Sequence, residues 1–308
     1  SDWLASAATR KLGALADGTI QDFAGRRFVF YYVFALGDCQ GSITGSIGWE
    51  IWDGESGCAH DVDYARMLVE ALAAKLPVDT TRVFTAGQSS GASFSFRLAV
   101  QAPSVFLGAA ACAGRFWGNS AWNHVANPGS KAVRTCMPFF YQYGMADHQP
   151  KEGSDTCNGL KANIDSFCRR FGIEASAVGI ALANGCDAPS QGPAGRPWMH
   201  TLSMPATSTG SYQGHAYDRY DFANCDLGSK VRFQSWRDQG HSFKDVEDQT
   251  WREVTMWFAS LDPSTTCVST PSTSSTTERF ASTSWATGVG TALTSISLVL
   301  DSLDSLCY

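Results

Sequence analysis

The chain predicts an α/β fold, a mostly parallel sheet flanked by helices. Two observations carry this: short apolar runs of strand length alternate with helix-like stretches, and Gly87–Gly91 sits between one of each. Such alternation implies βαβ units, whose crossovers make neighbouring strands parallel. The run Arg27 to Phe34, rich in β-branched and aromatic residues, reads as a buried strand. A Gly, Ser and Thr loop follows from Gly37 to Gly48. Next, Tyr64, Leu68, Leu72 and Leu76 recur every fourth position, giving a helix with Asp61 as N-cap and Pro77 as its stop. Arg82 to Ala86 is a short strand ended by Gly87, and Ser90 to Val100 reads as a helix. Val105 to Cys112, Met137 to Tyr143 and Val231 to Trp236 are further strands, while Leu160 to Phe171 and Gln249 to Leu261 are helix-like. In the second of these helices Trp251, Val254, Phe258 and Leu261 share one face. The Gly-, Ser- and Pro-rich region from Asp187 to Gly228 is expected to be a long surface excursion.

Of the 308 residues, 44% are hydrophobic, ample for a core, and only 17% are charged, with a net charge of −6. That balance lacks the clustered Lys and Arg of a nucleic-acid footprint, and no apolar run reaches membrane-span length. The ten cysteines form no CxxC pair and do not alternate with His at zinc-ligand spacing, so a metal framework is not expected. Dispersed, even-numbered cysteines point to disulfides and an oxidising compartment, against buried free thiols as the alternative. Cys186 and Cys225, flanking the loop-rich stretch, are the first candidates for a bridge. The chain opens Ser1-Asp2-Trp3 without Met or leader, which implies that a leader was removed or that the chain is a piece. Composition changes near Pro263. The domain reading is therefore a folded unit over 1–262, a Ser/Thr-rich linker over 263–284, flexible and open to O-glycosylation, and a tail over 285–308 that is disordered or a short helix. Asp301 and Asp304 interrupt the apolar tail and weaken a lipid-anchor reading.

Gly87-Gln88-Ser89-Ser90-Gly91 fits G-x-S-x-G in the strand-to-helix setting that makes the pattern informative. A turn this tight leaves no room for side chains at the glycines, lifts the Ser89 hydroxyl above the sheet edge and aims the Ser90 backbone N–H at a developing oxyanion. The plain alternative is a Gly/Ser turn between strand and helix. A serine hydroxyl needs a base, and the base needs a carboxylate, in the chain order Ser, acid, His for this fold. His241, in Gln239-Gly240-His241-Ser242-Phe243 after a strand and before the last helix, is the base candidate; His200 and His215 fall in the excursion and read as surface histidines. Asp147, after the strand Pro138 to Tyr143, is the acid candidate; its alternative is a turn aspartate, and Asp155 and Asp238 compete for the role.

Taken in order, Gly48-Trp49, Cys58, Asp61-Val62-Asp63-Tyr64, Val78 to Phe84 and Gly87 to Gly91 resemble the polyhydroxybutyrate depolymerase and feruloyl-esterase-like group of α/β-hydrolases. Gly144-Met145-Ala146-Asp147 resembles that group's acid turn and Gln239 to Phe243 its histidine motif, so that the likeness covers roughly Phe28 to Leu261. The resemblance implies a secreted α/β-hydrolase cleaving hydroxyalkanoate, feruloyl or acetyl esters, with Ser89, Asp147 and His241 as triad. Two departures stand out. No His-Gly pair, the family's second oxyanion donor, occurs in Ser1 to Gly48, and Leu12 to Asp17 resembles the helix that follows that loop. The expected fold therefore lacks its first strands: the chain is a piece, or the hole is rebuilt around Gly37 to Gly41. The elbow also carries Gln88, and Ser90 where Ala, Asn or Met is usual.

The expected function is a secreted serine esterase on a polymer or decorated polysaccharide, needing no cofactor and no metal. Its partner is an ester substrate, with neither nucleic acid nor membrane span involved. The alternatives are a catalytically impaired pseudo-hydrolase or extracellular binding module with an incomplete oxyanion hole, and a peptidase of the same fold. Trp117, Trp122, Trp198 and Trp236 are candidates for an aromatic-binding groove, against ordinary packing.

Overall fold

The computed structural model describes residues 28–34, 61–75, 79–114, 135–147, 165–191, 201–265 and 295–301. Expectations that fall on 1–27, on the loop 37–48, on Trp117, Trp122, Trp198, His200 and Asp155, and on the linker 266–284 lie outside these residues.

The described strands form an eight-stranded sheet and one two-stranded sheet. The large sheet runs β1 (Phe28–Phe34), β10 (Ser295–Asp301), β2 (Val83–Gln88), β3 (Gly108–Cys112), β4 (Phe139–Gly144), β9 (Val231–Trp236), β8 (His215–Phe222) and β7 (Ser208–Tyr212). Pairing is parallel from β1 across to β9, and antiparallel at β9–β8 and β8–β7. The short pair is β5 (Ser190–Gln191) with β6 (Thr201–Leu202), antiparallel. A mostly parallel sheet with helices is thus in place, an α/β architecture.

Strands β2, β3 and β4 are buried along their whole length, as a parallel sheet covered on both faces demands. Their side chains alternate between two cores. Val83, Ala109, Ala111, Phe139, Tyr141 and Phe233 face one layer with α2 (Ser90–Gln101) and α3 (Asp165–Ala183), represented by Phe94, Phe96, Leu98, Ile173 and Ala177. Phe84, Ala86, Ala110, Phe140 and Trp236 face the other, against Val254, Trp257 and Phe258 of α4 (Glu247–Ala259). Aromatic stacking fixes both layers: Phe96 lies 4.5 Å from Phe139, and Phe84 4.5 Å from Phe258. The first helix, α1 (Asp61–Lys75), contributes Ala65 and Val69 to the first core.

Several expectations shift by a few residues, as element ends do. Asp61 is the first residue of α1, not its cap, and with Asp63 complements the dipole of the first turn. β3 begins at Gly108, because Val105 closes a turn through its N–H to Ala102 O. The helix expected over Leu160 to Phe171 runs on to Ala183, since Ile173, Ala177 and Ile180 extend the buried stripe. Cys186 and Cys225 are bonded, as expected, across 39 positions; Cys136 is also in a disulfide.

Two larger differences have physical causes. The excursion from Asp187 to Gly228 contains β7 and β8, an antiparallel hairpin at the sheet edge that turns through Gln213 (φ 50°) and Gly214 (φ 89°). Its strands are mostly half-exposed, so no apolar run announced them. Residues 295–301, expected as disorder or short helix, form β10, a strand inserted between β1 and β2. Hydrogen-bonding partners on both sides favour extended backbone there, a long-range effect that local composition does not carry.

Candidate active site

Ser89, Asp147 and His241 follow the carboxyl ends of β2, β4 and β9, which are mutually parallel through β3. All three therefore belong to one edge of the sheet, where open α/β sheets gather ligands.

Ser89 stands at φ 57°, ψ −121°, between the last residue of β2 and the first of α2. A non-glycine residue at positive φ stores strain that only its surroundings hold in place. An ordinary serine N-cap would be extended and would bond its own helix through the hydroxyl. Ser89 does neither, for it makes no side-chain cap bond. Its N–H donates to Cys112 O at 3.0 Å and its carbonyl accepts from Ser93 N at 3.1 Å, so strand β3 and helix α2 hold the turn. Gly87 has no alternative here: a Cβ would come within 2.3 Å of the Gly91 backbone. Ser90 opens α2, and its hydroxyl is buried without a hydrogen-bond partner among the described residues.

The carboxylate and imidazole are in direct contact: His241 Nδ1 lies 2.7 Å from Asp147 Oδ2. Asp147 is buried and the His241 side chain is about a quarter exposed, at 25%. The two loops are laced together by backbone. Met145 N donates to Trp236 O at 2.8 Å, and Ala146 N to Gln239 O at 2.9 Å. Gly144 makes this approach possible, since a Cβ would sit 2.3 Å from Gln239 O. The third tie runs to the elbow, where Gln88 Nε2 donates to His241 O at 3.1 Å.

The other candidates separate cleanly. Asp238, the competing acid, pairs with His215 Nδ1 at 2.8 Å rather than with His241. The His215 hydrogen bond, aided by one from Gln239, holds the Asp238 carboxyl below its ordinary value. His215 lies at the turn of the β7–β8 hairpin, read as surface, yet Gln239 Nε2 reaches its Nδ1 at 2.9 Å. Trp236 lines no groove: it is fully buried, with Nε1 donating to Gln142 Oε1 at 3.1 Å. Sequence reasoning missed Gln88 and Gln239 as loop-holding residues. Both flank a motif serine or histidine, but Gln88 reaches a partner 153 positions away. Among the described residues no His, Cys, Asp and Glu group is arranged to hold a metal ion.

A strained serine after a buried strand and a buried carboxylate on an imidazole thus lie at one edge of a mostly parallel sheet. Residues 10–132 match the family model described as Esterase PHB depolymerase, which supports the family resembled by the motif series. That family suggests an esterase of the α/β-hydrolase type. The matched segment includes Ser89 and Ser90, whereas Asp147 and His241 lie beyond it. No curated protein matches the chain. Among the described residues no helix is long and apolar enough to cross a membrane.

Proposed function

We propose that the chain is a secreted serine esterase that hydrolyses carboxylic esters of a polymer or decorated polysaccharide. Ser89 Oγ attacks the ester carbonyl while His241 takes its proton, and Asp147 holds the ring and stabilises the imidazolium. The tetrahedral oxyanion is received by the Ser90 backbone N–H at the start of α2. Collapse breaks the C–O bond, and His241 returns the proton to the leaving alcohol. A water deprotonated by His241 then attacks the acyl-enzyme, releasing the acid and restoring the Ser89 hydroxyl.

The observation that carries this reading is the 2.7 Å contact between His241 Nδ1 and the buried Asp147. Its histidine loop is tied to the residue preceding a serine held at φ 57°. A surface histidine has no need of a buried partner, and an N-cap serine no need of strain. The Cys186–Cys225 disulfide is consistent with an extracellular location. A second reading is a catalytically impaired relative that binds rather than cleaves. The Ser90 N–H is the one oxyanion donor identified among the described residues, and a hole short of one donor loses on the order of 100- to 1000-fold in rate.

Fluorophosphonate labelling, with the modified residue located by mass spectrometry, tests the proposal. Labelling at Ser89 that disappears in Ser89→Ala is the expected result. A folded chain that takes no label would overturn it and leave the binding reading. A panel of hydroxyalkanoate, feruloyl and acetyl esters, each beside its amide, then separates esterase from peptidase and identifies the acyl group.

A further inference from the structure

We propose that Gln88 is a positioning residue that fixes the backbone of the histidine loop against the nucleophile. The inference rests on the serine-esterase reading and adds to it the group that sets the distance between Ser89 and His241.

Gln88 ends β2 and immediately precedes Ser89 in the chain. It has little freedom of its own. Its backbone pairs with Cys112 of β3, the next residue's N–H donates to the Cys112 carbonyl, and the side chain is only 6% exposed. From that rigid base Nε2 donates to the carbonyl of His241 itself, at 3.1 Å. Asp147 meanwhile grips the ring through Nδ1 at 2.7 Å. One contact fixes the backbone of His241 and the other its imidazole. Together they leave the direction of Nε2, the atom that takes the serine proton, with little room to vary.

Packing does not supply this hold at the neighbouring position. A Cβ added at Gly240 would meet nothing within 4 Å among the described residues, so no packing grips the residue next to His241, although Gln239 and Phe243 on either side are buried. The Gln239 carbonyl, held by Ala146 N–H at 2.9 Å, ties the loop to the acid turn. The Gln88 contact instead ties it to the elbow, so that the nucleophile and the hook to its base occupy adjacent residues of one strand end. A base displaced by about 1 Å loses on the order of 100-fold in rate, so one well-placed hydrogen bond is enough to matter.

Gln88→Met and Gln88→Ala test this together. The methionine keeps the length and nearly the volume but carries no donor for the carbonyl; the alanine removes the whole side chain. Both are expected to slow fluorophosphonate labelling and lower kcat by about 10- to 100-fold with KM within about threefold. Both should also shift or broaden the downfield His241 Nδ1 proton seen by NMR, assigned by its absence in His241→Asn. A role confined to packing would spare Gln88→Met, because its volume is nearly unchanged. A folded Gln88→Met chain with undiminished labelling and kcat and an unmoved Nδ1 proton overturns the proposal. Where the unaltered chain takes no label, the esterase reading has failed and the Nδ1 proton decides alone: unmoved in Gln88→Met overturns the positioning role, and displaced supports it.

Discussion

Ser90 poses the clearest question about single atoms, because its hydroxyl is buried at the elbow with no partner among the described residues while its N–H heads α2. If the N–H is the oxyanion donor, Ser90→Ala should leave kcat/KM within about threefold, since the backbone is unchanged. Stability should hold or rise slightly, because removing an unpaired buried hydroxyl relieves a desolvation cost. A fall of 100-fold or more in esterase assays would transfer the role to the hydroxyl. At the hairpin turn, His215 and Asp238 make a second histidine–carboxylate pair, and here pH is the useful variable. The folded state holds the Asp238 carboxyl low, chiefly through the hydrogen bond from His215. A depressed carboxyl contributes stability above the unfolded carboxylate range, and that contribution is lost as pH falls through the folded value. A carbon-13 titration should therefore find Asp238 below an ordinary aspartate in the native chain and back near the ordinary value in His215→Ala. An unmoved titration would mean that the pair is not formed in solution. The candidates Ser89, Asp147 and His241 could be picked out from sequence because each follows an apolar run at a strand end. It hid Gln88 and Gln239 because a glutamine's partner is set by distant backbone.

Between the sheet and α4 lies a polar seam that a hydrophobic pattern cannot reveal. Gln142 of β4 is fully buried, with Nε2 donating to Thr250 O at 3.0 Å. Its Oε1 accepts from Trp236 Nε1 at 3.1 Å and from Gln234 Nε2 at 3.3 Å. Gln234 in turn donates to Glu253 Oε2 at 2.8 Å, and Arg219 of β8 closes the chain on the same carboxylate at 3.2 Å. One residue thus binds β4, β9 and α4, and sits two residues before the strand end that leads to Asp147. Gln142→Ala would leave the indole N–H and the Gln234 amide without their acceptor and open a small void. We expect a loss of about 2–4 kcal/mol, read as a lower urea midpoint with the m-value unchanged. A loss under about 0.5 kcal/mol would mean that water replaces the amide and the seam is wet. The sequence announced these strands and α4 through their apolar residues, whereas Gln142 and Gln234 read as interruptions. The same blindness applied to β8, whose His-Ala-Tyr-Asp-Arg-Tyr-Asp-Phe spreads charge along a half-exposed edge.

At the scale of the whole molecule the consequential element is β10. The order β1–β10–β2 means that β1 joins the rest of the sheet through a strand from the far end of the sequence. Its register puts Leu300 beside Gly87, so it runs along the strand that delivers the nucleophile, in parallel, as far as the elbow. No local pattern could foretell this, because Ser295 to Asp301 follows a Ser- and Thr-dominated stretch and its partners lie more than 200 positions earlier. Unpaired segments exchange easily, whereas amides bonded inside a sheet exchange only when the sheet opens. These two regimes give opposite outcomes in hydrogen exchange. If β10 is an interior strand, a peptide covering 295–301 should be protected on the same timescale as one covering 83–88. Leu298→Pro, which removes an N–H from the ladder, should then expose β1 to exchange while leaving β3 and β4 protected. Exchange of 295–301 within seconds in the unaltered chain would instead cut β1 off from the sheet. The elbow strand would then have its ladder on the β3 side alone, and the fixed geometry of Ser89 would rest on Cys112 and α2.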